Sequence, residues 1–189
     1  TKSKAISEIK QICQKWKEYN RDALFGAVTD RVNMVYLSAN MYTGRFNAHG
    51  KELQFFLASS RSRMKGQRLP RDKRNEIVSI TALDTANRVC INPSMKKADQ
   101  LHHFGPPEGF EYPYVAIPLL AHIDAPVGIL CADACEDPSA GGEDSSDVLS
   151  FFGTVGMHLS EPVRGYSQQD AAVQLRQISH DYPTLRQGM

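Results

Sequence analysis

The sequence has almost no net charge, few cysteines and no long apolar run. Its 22 Lys and Arg offset 21 Asp and Glu, leaving a formal charge of +1. No global field therefore recruits nucleic acid or an acidic membrane. No apolar stretch approaches the ~18–20 residues that cross a bilayer as a helix. We expect neither a nucleic-acid nor a membrane partner, and a cytoplasmic location. The four cysteines, Cys13, Cys90, Cys131 and Cys135, form no pair of Cys-x-x-Cys spacings. That argues against a zinc framework or a disulfide scaffold and reads as free thiols in a reducing compartment. Also absent are a Gly-x-Ser-x-Gly elbow, a His-Glu-x-x-His pair and a phosphate-cradling glycine loop. The two glycines of "SAGGED" stand among carboxylates that would repel a phosphate. No catalytic constellation assembles, so the chain reads as a non-enzyme with no assigned cofactor. The opening "TKSKAISEIKQICQKW" shows no leader pattern and no initiator Met, as expected of a fragment of a longer protein.

With 189 residues, 41% of them hydrophobic, the chain can bury one good core. Ala5, Ile6, Ile9, Ile12, Cys13, Trp16 and Tyr19 recur at helical steps and predict a helix over 3–25. Residues 32–43 and 52–59 read as strands of a hairpin joined by a turn-rich "GRFNAHGK". The segment 61–74, "RSRMKGQRLPRDKR", holds seven cations against Asp72 alone. It reads as a solvated loop, or as a patch that holds an anion or docks a partner. Residues 75–88 predict a helix capped by Asn75, and 89–91 a short strand.

The stretch "YVAIPLLAHIDAPVGILCADA" (114–134) is two apolar runs with a polar break. Runs this apolar are strands covered on both faces, turning at "AHIDAP". Pro118 belongs at a sheet edge or a bulge, because it cannot donate to a ladder. After an acidic break, Val148, Phe151, Phe152, Val155 and Leu159 mark a helix that Ser145 or Ser146 can cap and that Pro162 should kink or end. Ser167 and Asp170 resemble a capping box for a last helix closed by Pro183. Antiparallel hairpins with segregated helices make the fold class α+β.

Three segments in this order resemble the GAF family: "YVAIPLLAHIDAPVGILCAD", "NEIVSITALDTANRVCINP" and "EDSSDVLSFFGTVGMHLS". The first matches that family's last hairpin, with Pro118-Leu119 at its Pro-Leu position and Gly128-Ile129-Leu130 at its Gly-[VI]-Leu. The resemblance implies a central antiparallel sheet with terminal helices on one face. On the other face a layer of loop and short helix would enclose a small-molecule pocket. It divides the chain into an N-terminal helix (1–25), a GAF-like domain (26–165) and a C-terminal helix and tail (166–189). It also implies a regulatory, small-molecule-binding domain that relays binding through its terminal helices. The long apolar stripes at both chain ends lead us to expect that 3–25 and 147–180 pair two copies as a homodimer. The alternative is a ligand-free interaction or dimerisation module.

The expected site is the long loop at 92–113 with the adjoining strands: Asn92, Met95, His102, His103, Phe104, Phe110, Tyr112, Tyr114 and Cys131. Aromatic groups with a few polar atoms suit a small-molecule cavity, and equally a plug that fills the fold. Adjacent histidines on an extended chain point opposite ways, so His102 and His103 make no metal site alone. Cys131 reads as a packed core thiol. GAF domains of cyclic-nucleotide phosphodiesterases carry Asn-Lys, then Phe and Asp-Glu, after the last strand, whereas "ADACEDPSAGGED" has neither Asn-Lys nor Phe. Free methionine sulfoxide reductases and bilin binders of this family use loop cysteines, and 91–113 has none.

Overall fold

The computed structural model describes residues 1–37, 39–59, 62, 64–73, 78–91, 114–122, 125–133 and 145–181. Helix α1 (Lys2–Gln14) starts where the Thr1 side chain accepts from the Lys4 amide, and buries Ala5, Ile9 and Cys13 one turn apart. The predicted 3–25 helix is in fact two helices. A 3-10 turn at Trp16–Glu18 interrupts it, and Asn20 then sits in extended backbone with its side chain accepting from Ala23 N–H at 2.8 Å. Asparagine is among the strongest N-caps, and it starts α2 (Arg21–Val32) as a separate helix. The apolar residues of "VNMVYL" are therefore the end of α2 and a following turn. The first strand, β1, begins later, at Asn40–Phe46.

β1 pairs with β2 (Glu52–Ala58), as the turn-rich connection predicts. The ladder slips between Thr43 and Gly44, whose partners are Leu57 and Phe55, so Phe56 is the extra residue of a bulge. That slip reverses the face phase of β2. Phe55 faces one layer and Leu57 the other, although an unbroken strand would put them together. The basic segment is not all solvated loop. Residues Arg68–Pro70 form β3 against β2, and Leu69 is buried between the exposed Arg68 and Pro70. Helix α3 (Val78–Thr85) and β4 (Val89–Ile91) follow where predicted, while Asn75 lies outside the described residues. Strands β5 (Tyr114–His122) and β6 (Ala125–Asp133) form the apolar hairpin. The six strands are antiparallel in the order β3-β2-β1-β6-β5-β4.

Pro118 is accommodated by the shortness of β4. β5 is an interior strand, yet β4 pairs with it only from Tyr114 to Ala116. Beyond Ala116 no described residue pairs with β5 on that side, so Pro118 meets an open edge within a central strand.

Side chains alternate cleanly between two layers. Met41, Val115, Ile117, Leu119, Leu130 and Ala132 face α1, α2 and α4. Tyr42, Ala116, Ile129 and Cys131 face α3. Helix α4 (Ser145–Asp181) is the largest departure from expectation, because it runs unbroken through Pro162. Proline removes one backbone bond and clashes with the preceding turn, at a cost of ~3 kcal/mol. Val155, Leu159, Val163 and Tyr166 keep one buried stripe on both sides of it, against β5 and α1. That burial outweighs the kink. Tyr166 meets Trp16 edge to face at 5.1 Å and donates to the Trp16 and Tyr19 carbonyls. Ser167 and Asp170, read as a cap, instead serve tertiary contacts. Arg45 donates to the Ser167 hydroxyl, and Asp170 receives Arg21 at 2.9 Å and Arg45 at 3.4 Å.

Candidate functional site

Of the expected site residues, Asn92, Met95, His102, His103, Phe104, Phe110 and Tyr112 lie outside the described residues. The two that remain meet at one end of the sheet. Tyr114 opens β5 in register with Asp133 and with Ile91. Cys131, two residues before Asp133, is fully buried on the α3 side between β1 and β5, paired with Tyr42 and Ala116. Full burial suits a packing thiol rather than an accessible nucleophile. None of the three described cysteines, Cys13, Cys90 and Cys131, is in a disulfide. Among the described residues no group of three or more His, Cys, Asp and Glu is placed to hold a metal ion.

The floor of the α3 side is well filled in its middle. Tyr42 and Phe55 meet edge to face at 5.0 Å and share one buried cluster with Ile80 and Leu83 of α3. Polar character gathers at the strand ends. Asp133 ends β6 and is paired in register with Asn40, which begins β1. By alternation from Cys131 and Tyr42 both side chains belong to the α3 side. Asn40 Oδ1 and Asp133 Oδ1 are each sealed from solvent, and neither has a hydrogen-bond partner among the described residues. Burial pushes the Asp133 carboxyl up to about 7, with no charge among the described residues contributing. Sequence reading missed this pair. The available signal was an aspartate closing an apolar strand in phase with Cys131, which was already singled out.

The raised carboxyl makes stability depend on pH with a definite sign. Between its ordinary value of 3.8 and about 7 the folded chain holds more protons than the unfolded chain. This carboxyl's contribution to stability is therefore full below about pH 4, falls as pH rises toward 7, and levels off above it. Asp133→Asn removes that slope. Urea unfolding at pH 8 should show the variant more stable than the parent by up to roughly 4 kcal/mol, with the two alike near pH 4. Parallel pH curves for the two chains would show that this carboxyl is not desolvated.

The opposite end of the sheet is a charged groove of about 690 Å³ between the β1–β2 connection, the start of β6 and α4, with Arg45, His49, Pro126, Arg164 and Asp170 on its walls. Asp170 on its wall pairs with Arg45 and also with Arg21 of α2, and Arg45 lies over the Phe56 ring at 4.7 Å. A shallower cleft of about 630 Å³ lies beside Gly50 and Arg71. In the basic segment Lys65 meets Asp22 at 2.8 Å, Arg68 meets Glu52 at 4.0 Å and Arg71 meets Asp84 at 2.5 Å. Each described cation whose side chain is placed there has a carboxylate, which favours a solvated, internally paired surface over an anion site.

No protein-family model matches this sequence, and no curated protein matches it. Solved structures do match. The GAF domain of an Acinetobacter phosphoenolpyruvate-protein phosphotransferase is similar at 14% identity and a TM-score of 0.62, over 86% of this chain and 93% of that one. The GAF domain of A. aeolicus nlh2, in an inactive state, is similar at 13% identity and 0.62, over 86% and 95%. The free methionine-R-sulfoxide reductase of Neisseria meningitidis, in complex with its substrate, is similar at 13% and 0.62, over 86% and 89%. At such identities the likeness establishes the fold. It is GAF-like and α+β, as the three sequence segments implied.

Proposed function

We propose that this chain is a regulatory sensor domain that binds a small molecule on the α3 side of its sheet and relays binding through its terminal helices. The observation that carries this is the reach of α4. Its first half packs on β5, a strand of the candidate floor. Past Tyr166 it continues to Asp181 with Val173, Leu175 and Ile178 exposed. One rigid element thus joins a prospective input surface to a prospective output surface. The Asp170 clamp is the last described tie between α4 and the sheet, through Arg45 of β1. The domain is offered as a binding module in a reducing, cytoplasmic setting rather than as an enzyme. A thermal-shift screen of the intact chain against cyclic nucleotides, amino acids and haem tests this, because a ligand that binds only the folded state raises Tm.

A second reading, a ligand-free interaction module, is favoured by the Tyr42–Phe55 packing, which fills the middle of the floor with the protein's own side chains. A screen without a single shift would favour it.

Both readings pair two copies through the helices. Met157 (62% exposed) and Leu175 (59%) are eighteen residues apart, five whole turns, so they share a face, with Ile178 beside Leu175. Leu175→Asp with Ile178→Asp should convert a dimer into a monomer by light scattering, while urea stability of the folded unit changes by less than ~0.5 kcal/mol. A parent chain that is monomeric at high concentration would refute the pairing.

A further inference from the structure

We propose that the Asn40–Asp133 pair is the recognition point of the α3-side site, and that it takes an organic cation whose N–H donors are carried on an apolar body, such as an amidinium or a protonated amine. This rests on the small-molecule reading above and narrows it to a chemical class. The two residues are register partners on β1 and β6. Directly opposed positions on an antiparallel pair hold their β-carbons ~4.5–5.5 Å apart, so one small donor group reaches both side chains. Both Oδ1 atoms are sealed from solvent and lack a donor among the described residues. Buried acceptors are normally satisfied, and a matched pair left open on adjacent strands points to a donor supplied from outside.

The sign of the charge follows from the surroundings. Burial is what perturbs the Asp133 carboxyl, and among the described residues no cation offsets it. Its in-phase neighbours along the strands are Tyr42, Cys131 and Ile129, which supply apolar surface. An anion here would meet a carboxylate at low dielectric, and a neutral apolar ligand would leave both oxygens unpaired. A cationic donor satisfies both and removes the desolvation penalty on the carboxylate.

The test uses the intact chain and three isosteric probes: benzamidine, benzamide and benzoate. Benzamidine should raise Tm and bind at least 10-fold more tightly than benzamide, and benzoate should not bind. Asp133→Asn, an isosteric change, should abolish that 10-fold preference in a chain whose near-ultraviolet circular dichroism is unchanged. Asn40→Leu, which removes the other acceptor, should weaken benzamidine severalfold and serves if the first variant does not fold. Equal binding of benzamidine and benzamide, or benzamidine binding that survives Asp133→Asn, would overturn the proposal. A neutral or anionic metabolite that binds this face while benzamidine does not would overturn it and leave the small-molecule reading standing. No shift with any probe or metabolite would remove both, and would mean that ordered water satisfies the pair.

Discussion

Phe152→Ala is expected to destabilise the chain by about 3–5 kcal/mol, as truncation of a fully buried aromatic residue in a packed core does. Phe152 has no exposed surface. Its ring lies 5.2 Å from Tyr36 and 5.3 Å from Phe151, a three-ring cluster where the start of α4 meets the turn after α2. The substitution would remove the lost transfer energy of the ring and leave a cavity that these rigid neighbours cannot fill. Chemical denaturation monitored by the single tryptophan gives the readout, because Trp16 reports on the α1–α4 contact through Tyr166. Met157→Ala on the opposite, exposed face of the same helix is the control and should change stability by less than ~0.5 kcal/mol. A loss below ~1 kcal/mol for Phe152→Ala would mean that α4 is not docked on the sheet, and the relay would then have no mechanical basis.

Legibility in the sequence followed the strength of local signals. The β5–β6 hairpin was readable because two apolar runs bracket a polar break and both faces of each strand are buried. Helix ends were readable where a cap is strong, yet Asn20 was overlooked because apolar periodicity continues from α1 into α2 across it. Pro162 misled in the other direction. A local rule ends a helix at proline, but a buried stripe from Val155 to Tyr166 on an existing scaffold overrides it. Leu69 was hidden by charged neighbours, since a three-residue strand has too few positions to show alternation. Of the candidate site, the sequence shows strand membership but not the pairing across strands. Cys131 was placed on the correct strand, while Asp133 looked like the first residue of an acidic loop. Only the pairing with Asn40, ninety-three positions away, gives it a partner in space, and no local pattern in a sequence encodes such a pairing.

Gly128→Val should be among the most damaging single changes in the sheet, exceeding about 3 kcal/mol. The reason lies in which atom blocks the added side chain. A β-carbon at 128 would sit 2.7 Å from the carbonyl oxygen of Gly44 on the neighbouring strand, well inside contact distance. A side chain in the way can often rotate, but a backbone carbonyl held in a ladder cannot move without breaking pairs on both of its sides. Gly44 is itself constrained, since a β-carbon there would lie 2.8 Å from the Gln54 carbonyl across the bulge. The two glycines therefore let three strands, β2, β1 and β6, approach at one point, next to the slip that turns Phe55 to one layer and Leu57 to the other. Overpacking a core usually costs ~1–3 kcal/mol, and a clash with fixed backbone belongs above that range. Val is favoured in strands by propensity, so intrinsic preference would predict a gain of up to ~1 kcal/mol and the packing argument a large loss. Urea unfolding of Gly128→Val, with Gly26→Ala as a reference at a site where a β-carbon meets nothing within 4 Å, separates the two. A stable Gly128→Val chain would refute the close approach. A destabilised one would supply the physical reason for a glycine in the "GIL" motif, which resemblance alone marks without explaining.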